Sequence, residues 1–111
     1  MTNSAHAKGS RAELEIAKLL HELTGDNVRR KLGAGRMDDE GDLDGLTDTT
    51  CQVKNYRDIT RALREALHDL PTQQANAGTP YAVAFIRRPG GNWAACMNLD
   101  QFAAWYRAAT A

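Results

Sequence analysis

The chain has 111 residues, of which 42% are hydrophobic and 25% are charged, and its 14 basic and 14 acidic residues leave a formal net charge of zero. This length predicts one domain over residues 1–111 with a modest core, and the zero net charge argues against a large non-specific surface for polyanions. No apolar run approaches the ~20 residues that cross a bilayer. The polar N-terminus also lacks a signal-peptide core, so we expect a cytoplasmic protein without a membrane partner.

The first predicted helix follows a flexible N-terminal segment at residues 1–8 and runs from Lys8 to Leu23. Ser10 is a suitable N-cap, and Gly25 is placed to end the helix. Apolar residues at helical spacing form one stripe, which consists of Ala12, Ile16, Leu19, Leu20 and Leu23. Glu13 lies at the margin of this stripe, where a carboxylate is costly unless it is paired or binds a metal ion.

Glu13 has two interpretations at this point, and they do not exclude each other. Ser10 and Glu13 have the spacing of a capping box, in which the glutamate reaches back to the amide of the N-cap. That role would explain the carboxylate without any catalysis. The alternative is a carboxylate held for a metal ion. Glu15, by contrast, lies on the flank of the helix that leads to solvent.

The next segment separates its charges by sign. Residues 27–32 are predicted to form the first strand, and Gly33-Ala34-Gly35 is either a mobile connection or a permissive turn. Residues 27–36 contain no acid, and their cations are Arg29, Arg30, Lys31 and Arg36. Residues 37–48 contain no base, and their acids are Asp38, Asp39, Glu40, Asp42, Asp44 and Asp48. This pattern is typical of phosphate contacts beside a cation site, although the two segments could instead neutralise each other across a solvated face.

Residues 41–54 are predicted to form two short strands joined by a polar turn, with Asp42 on the first strand. Gln52 and Lys54 are two apart on the second strand and therefore project to the same side, while Cys51 and Val53 face the core. An acid, an amide oxygen and an ammonium group that converge at strand ends can support metal-assisted phosphodiester hydrolysis. The alternatives are that the aspartates are turn residues and that the lysine protects a sheet edge.

Asp42 and Asp44 would share one face of this strand, so the sequence must decide between them. Asp42 precedes Leu43, a core hydrophobe, whereas Asp44 precedes Gly45 and the approach to a turn. We therefore expect Asp42, and not Asp44, to be the metal ligand.

The order of these motifs resembles the PD-(D/E)XK nuclease superfamily. Lys-Gly-Ser-x-x-Glu on the first helix, a basic strand, a Gly-rich loop, Gly-Asp-hydrophobic and Gln-x-Lys follow one another over about residues 8 to 57. Within the superfamily, the order is similar to that of the archaeal Holliday-junction resolvases and related phage resolvases. The resemblance implies that Glu13, Asp42 and Gln52 belong to a metal site and that Lys54 is the catalytic lysine.

The resemblance also implies the remaining members of the site. Mg²⁺ or Mn²⁺ would bind Asp42, Gln52, the Val53 carbonyl and, through water, Glu13. The expected DNA contacts are Lys8, Ser10, Arg11, Arg29, Arg30, Lys31 and Arg36. Gln52 departs from the resolvases, which usually carry glutamate there, and resembles modification-dependent restriction nucleases instead. Its amide oxygen supplies no charge, so we expect a lower affinity for the metal ion.

A second helix is expected after Lys54, capped by Asp58 or Thr60. Its predicted apolar stripe consists of Ile59, Leu63, Ala66, Leu67 and Leu70. On its other face, Arg61 and Glu65 have the spacing of an ion pair. Residues 71–80 are predicted to form a polar loop in which Gln73 and Gln74 face solvent.

Residues 81–87 are predicted to form a buried strand, and residues 92–97 its antiparallel partner after a turn at Pro89-Gly90-Gly91. Asp100 would start a last helix with Leu99, Phe102, Ala103 and Tyr106 on one face. Trp105 falls off that face and is either a shielded surface residue or part of a subunit interface. Cys51 and Cys96 lie in predicted strands, which indicates buried thiols in a reducing compartment and no zinc site.

These elements predict an α/β fold with a mixed sheet of about five strands flanked by helices. The order agrees with the restriction-endonuclease-like core (αβββαβ) of the superfamily. The function implied by the resemblance is a divalent-metal-dependent endonuclease, namely a homodimeric Holliday-junction resolvase that cuts four-way DNA junctions in recombination and repair. It would work in the host cytoplasm if it is phage-encoded. The alternatives are a restriction-like or repair nuclease of the same superfamily and a catalytically silent DNA-binding module.

Overall fold

A computed structural model describes residues 4–31 and 38–111, with side chains from residue 8 onward. Within these ranges the chain forms three α-helices and one five-stranded sheet. The helices are α1 (Ser4–Thr24), α2 (Ile59–Ala77) and α3 (Leu99–Ala109). The strands are β1 (Arg29–Arg30), β2 (Leu43–Asp44), β3 (Thr49–Lys54), β4 (Tyr81–Arg88) and β5 (Asn92–Cys96), with a 3₁₀ turn at Pro89–Gly91 before β5.

The sheet is mixed, and its strand order is β1-β2-β3-β4-β5. Only β3 and β4 run parallel, in a register that pairs Gln52 with Ala84, and the other neighbours are antiparallel. The parallel pair exists because α2 carries the chain back along the sheet between the two strands. The predicted α/β class and the five-stranded mixed sheet are therefore confirmed.

The two faces of the sheet bury different side chains, because residues in a strand alternate between faces. Val83 and Phe85 of β4 pack with Cys51 and Val53 of β3 in the cluster that contains α1. Ala82, Ala84 and Ile86 pack instead in the cluster under α2. The predicted burial of Cys51 and Val53 is confirmed.

Helix α1 begins earlier than predicted. It starts at Ser4, so residues 4–8 are already helical and Ser10 lies well inside the helix. The predicted capping box at Ser10 is therefore wrong, because an interior residue has no free helix-end amide to satisfy. The end of the helix is as predicted, since Gly25 has a φ of 81° and its amide donates to the His21 carbonyl at 2.8 Å. Leu23 is 82% exposed, so the apolar stripe stops before it.

Helix α2 is longer than predicted. Asp58 caps it by accepting a hydrogen bond from the Arg61 amide, and it continues through Pro71 to Ala77. The predicted loop at residues 71–80 is therefore wrong. A proline inside a helix leaves the carbonyl four residues earlier without its donor, and here the Asn98 side-chain amide donates to that Leu67 carbonyl at 3.0 Å. This tertiary contact explains why the helix does not stop.

Gln73 lies on the buried side of the extra turn. It is only 2% exposed, and its Nε2 donates to an Asp39 carboxylate oxygen at 2.7 Å. Gln74 is half-buried and donates to the Thr79 carbonyl at 3.0 Å. The expectation that both glutamines face solvent is wrong, because the continued helix turns them toward the rest of the molecule.

The last helix contains no buried residue. Its large apolar side chains are exposed, with Leu99 82%, Phe102 46%, Trp105 48% and Tyr106 53% accessible. The Phe102 ring packs against two rings of its own helix, with its centroid 5.9 Å from that of Tyr106 and 6.2 Å from that of Trp105. Separately, none of the helices in the described ranges is both long and apolar enough to cross a bilayer.

Candidate active site

A cavity of about 590 Å³ opens at the carboxyl end of β3, between α1 and the start of α2. The residues that line it are Lys8, Gly9, Glu13, Asp42, Gln52, Val53, Lys54, Asn55, Tyr56, Arg57, Asp58 and Arg61. All four side chains predicted to be catalytic are among them. Asp44, the acid that the sequence analysis set aside, is not.

Asp42 is fixed in the cavity by three backbone contacts. Its amide donates to the Cys51 carbonyl at 2.7 Å, its carbonyl accepts from the Lys31 amide at 2.8 Å, and its Oδ2 accepts from the Val53 amide at 2.8 Å. Gly41 is needed beside it, because a Cβ there would lie 2.7 Å from the Cys51 carbonyl oxygen at a φ of +96°. The Gly-Asp pair of the motif thus places the carboxylate against β3.

Burial raises the pKa of Asp42 from 3.8 to about 6. The hydrogen bond from the Val53 amide opposes this shift, the carboxylates of Glu13 and Asp39 add to it, and the Lys54 ammonium opposes it. The site therefore holds a carboxylate whose charge is poorly compensated by the surrounding protein. A bound cation would favour the ionised form.

Gln52 contributes a side-chain amide oxygen to the same cavity. The residue is 6% exposed, and its buried Oε1 has no hydrogen-bond partner within residues 4–31 and 38–111. A buried acceptor that is left unpaired costs about 1–3 kcal/mol. It is therefore the feature of this cavity that most directly indicates a ligand-binding role.

Val53 can add a backbone oxygen to this set. Its amide points toward Asp42, on the side of β3 where β2 has not yet begun. In an antiparallel pairing the N–H and C=O of one residue point toward the same neighbour. The Val53 carbonyl is therefore directed to the same side as the Asp42 carboxylate.

Lys54 is held by an aromatic residue that the sequence analysis did not identify. Its Nζ donates to the Tyr56 hydroxyl at 3.2 Å and lies 5.2 Å from the Tyr56 ring centroid. Arg61 lies 5.1 Å from the same ring, and its Nε donates to Glu65 at 3.2 Å, as the i,i+4 spacing predicted. The Tyr56 hydroxyl and Arg61 both lower the pKa of Glu65. The signal in the sequence was an aromatic residue two positions after the lysine of Gln-x-Lys.

Glu13 reaches the cavity as an ion-paired carboxylate. Arg30 Nε donates to its Oε1 at 2.9 Å, and Arg30 Nη2 donates to the Ser10 hydroxyl at 3.2 Å. Ser10 and Arg30, both predicted DNA contacts, are thus linked to Glu13 by hydrogen bonds within the protein. Their side-chain groups are used within the protein.

The other predicted DNA contacts fall into three groups. Lys31 forms ion pairs with Asp44 at 3.3 Å and Glu40 at 3.6 Å, so basic and acidic segments neutralise each other here. Arg29 and Arg11 are exposed, and Lys8 is exposed at the rim of the cavity. Arg36, like the Gly33-Ala34-Gly35 connection, lies outside the described residues.

The donor set fits a hard divalent cation by its chemistry. Two carboxylates, an amide oxygen and a backbone carbonyl are all oxygen ligands, and Mg²⁺ is commonly held by only one or two carboxylates. The unpaired Gln52 oxygen supports this fit. Among the residues described, no group of three or more His, Cys, Asp or Glu side chains could hold a metal ion, so any such site depends on amide and backbone oxygens.

Comparisons with known proteins do not place the chain in a family. No protein-family model matches its sequence, and no curated protein or solved structure is significantly similar to it. The argument for its function therefore rests on the geometry of the cavity and the order of the motifs.

Proposed function

We propose that this chain is a divalent-metal-dependent DNA endonuclease of the PD-(D/E)XK type, specifically a Holliday-junction resolvase that acts as a homodimer. One observation carries the proposal. Residues from three separate segments, namely Glu13 on α1, Asp42 just before β2, and Gln52 and Lys54 on β3, line one cavity. Their order along the chain is that of the nuclease motif.

Each residue has a distinct role in the proposed hydrolysis. Asp42, Gln52 and the Val53 carbonyl would hold Mg²⁺ or Mn²⁺, with Glu13 as a further carboxylate. When bound, the ion supplies Lewis-acid stabilisation of the charge on the scissile phosphate. Lys54 places its ammonium group beside that phosphate, and Tyr56 restricts where the ammonium can lie.

The homodimer follows from the chemistry of a four-way junction. Two symmetric nicks require two active sites related by a two-fold axis, and the described residues of one chain bring the motif together once. The exposed face of α3, with Phe102, Trp105 and Tyr106, is the kind of apolar surface that an interface covers. The two free cysteines fit the cytoplasm, the location that we propose.

A synthetic four-way junction tests the proposed reaction. We expect paired nicks with Mg²⁺ or Mn²⁺, none with EDTA, and none with the Lys54→Ala variant. Equal cutting in EDTA would contradict the metal mechanism. Equal cutting of a linear duplex that has the sequence of the junction arms would contradict the resolvase assignment, but it would still identify the protein as a nuclease.

The oligomeric state gives a second, independent test. Light scattering should show a dimer for the parent and a monomer for Trp105→Glu, because a buried charge opposes association at an apolar interface. The monomer should lose preference for junctions over duplex more than it loses affinity for the DNA backbone. A parent that is monomeric at micromolar concentration would remove the dimer from the proposal.

Two other functions are supported by particular observations. Gln52 favours a restriction-like or repair nuclease, which a panel of linear, nicked, flapped and branched substrates would identify. The Arg30–Glu13 ion pair favours a catalytically silent DNA-binding module, since it occupies one of only two carboxylates in the proposed metal set. For such a module, Lys54→Ala would leave every measured property unchanged.

A further inference from the structure

A second cavity lies next to the candidate active site, at the carboxyl ends of β3 and β4. It has a volume of about 270 Å³, and its lining residues are Lys8, Asn55, Tyr56, Arg57, Ile59, Arg87, Arg88 and Pro89. Four of these eight residues are cationic and none is acidic. The volume compares with about 30 Å³ for one water molecule in the liquid, so the cavity admits a phosphate group with part of its hydration.

Most of the positive charge in this second cavity is uncompensated. Arg87 is the exception, because its Nε donates to Glu15 at 2.7 Å and Glu15 also accepts from the Trp93 indole at 2.8 Å. This network lowers the pKa of Glu15 through the Arg87 hydrogen bond, and the Glu15 side chain keeps 41% of its surface exposed while it makes this tertiary contact. Lys8, Arg57 and Arg88 are exposed and form no ion pair with another described residue.

The two cavities adjoin each other on the surface. Lys8, Asn55, Tyr56 and Arg57 line both of them, so the proposed scissile position and the basic cavity are neighbours. A single small anion would need only one of the two. A ligand with phosphates in succession would occupy both, and a nucleic-acid backbone is the polyanion with that repeat.

We propose that Lys8, Arg57 and Arg88 bind a phosphodiester group of DNA next to the one that is cleaved, so the backbone runs across the carboxyl ends of β3 and β4. This inference rests on the proposed endonuclease function and adds the path of the substrate strand. It differs from the path along β1 that the sequence suggested, where Arg30 and Lys31 are ion-paired within the protein and Arg29 is exposed.

The test compares two variants that each remove two exposed arginines. Arg57→Ala/Arg88→Ala removes two of the four cationic side chains of the second cavity, whereas Arg64→Ala/Arg107→Ala changes net charge equally at exposed positions that line neither cavity. Binding of a labelled duplex is measured by fluorescence anisotropy in EDTA over a range of NaCl concentrations. Junction cleavage by the parent with Mg²⁺ is measured separately, and circular dichroism checks that both variants are folded.

Each phosphate contact that is lost should reduce the magnitude of the slope of log K against log[salt] by about 0.9. Because these residues are proposed to hold one phosphodiester group, we expect a reduction of about 0.9 for Arg57→Ala/Arg88→Ala and no change for the control pair. Equal slopes for the parent and Arg57→Ala/Arg88→Ala would overturn the proposed path of the DNA backbone, and so would an equal reduction in the control pair. Metal-dependent cutting of the junction by the parent would still support the endonuclease function in either case. The reverse result, a cavity-dependent slope without any metal-dependent cleavage, would overturn the endonuclease and uphold the binding surface.

Discussion

The edge of the sheet at β1 and β2 and the carboxyl end of β3 are both rich in charge, yet they use it differently. At the edge, Arg30 pairs with Glu13, and Lys31 pairs with Asp44 and Glu40. At the end of β3, the half-buried Asp42 carboxylate has a raised pKa, and an oxygen of Gln52 has no hydrogen-bond partner among the described residues. Internal pairing stabilises a fold, whereas uncompensated groups in a cavity indicate a ligand. Asp42 belongs to the cavity and Asp44 to the ion-paired edge, and the two lie only two residues apart. The same substitution at each position therefore tests the comparison.

The largest expected effect separates these two aspartates by activity. Asp42→Asn should reduce metal-dependent cleavage by about 10²–10³-fold, the loss seen when one electrostatic contact to a transition state is removed. Asp44→Asn should stay within about twofold of the parent, because its carboxylate contacts Lys31 outside the cavity. Initial rates on a labelled junction at saturating Mg²⁺ measure both. A larger loss of activity for Asp44→Asn would indicate that Asp44, and not Asp42, is the metal ligand.

The two aspartate variants should also differ in their free energy of unfolding. Here Asp42→Asn, the less active variant, should be the more stable one. The pKa of Asp42 is raised to about 6 in the folded protein against 3.8 as the ordinary value, so its stabilising contribution is complete below pH 3.8 and is lost as the pH rises through 6. In EDTA at pH 7.5, Asp42→Asn should therefore be more stable than the parent by up to about 3 kcal/mol.

Urea unfolding in EDTA measures this difference. The gap between Asp42→Asn and the parent should shrink steadily as the pH is lowered toward 4. Asp44→Asn serves as the matched control and should lose no more than about 1 kcal/mol, as expected for one partly exposed ion pair. A parent whose stability relative to Asp42→Asn does not change with pH would show that the carboxylate is well solvated.

A smaller effect is expected when the neutral ligand is given a charge. Gln52→Glu should bind Mn²⁺ about tenfold more tightly, because a carboxylate adds Coulomb attraction that an amide oxygen lacks. Gln52→Leu should abolish measurable binding, since it removes the oxygen and keeps the side chain buried. Calorimetric titration with Mn²⁺ in the absence of DNA gives both values. Equal affinities for the three proteins would exclude Gln52 from the metal site.

The smallest effect concerns Tyr56, which positions the catalytic lysine. Tyr56→Phe removes the hydroxyl that accepts from Lys54 and keeps the ring that packs against Lys54 and Arg61. We expect kcat to fall about threefold, roughly the worth of one hydrogen bond of about 0.7 kcal/mol, with KM unchanged. Tyr56→Leu, which also removes the ring, should have the larger effect. Equal kcat values for Tyr56→Phe and the parent would show that the hydroxyl does not contribute, so that only the ring of Tyr56 would position Lys54.

Much of the local structure could be predicted from the sequence. The strands β4 and β5, the Asp58 cap and the end of α1 at Gly25 all follow from periodicity and capping residues close in the chain. The boundary errors share one cause. Pro71 and Ser10 were interpreted as a helix stop and a helix start, but Asn98 compensates for the first and residues 4–9 extend the helix past the second.

The sequence by itself determined which chemical groups are available and the order in which they occur: an acid before β2, Gln-x-Lys on β3 and a glutamate on α1. Local rules suffice for this, because spacing within one strand decides which side chains share a face. Only the tertiary structure decided which charges remain free. Arg30 met Glu13 across 17 residues, and Arg87 met Glu15 across 72, so the charges left for a ligand are those that folding did not pair.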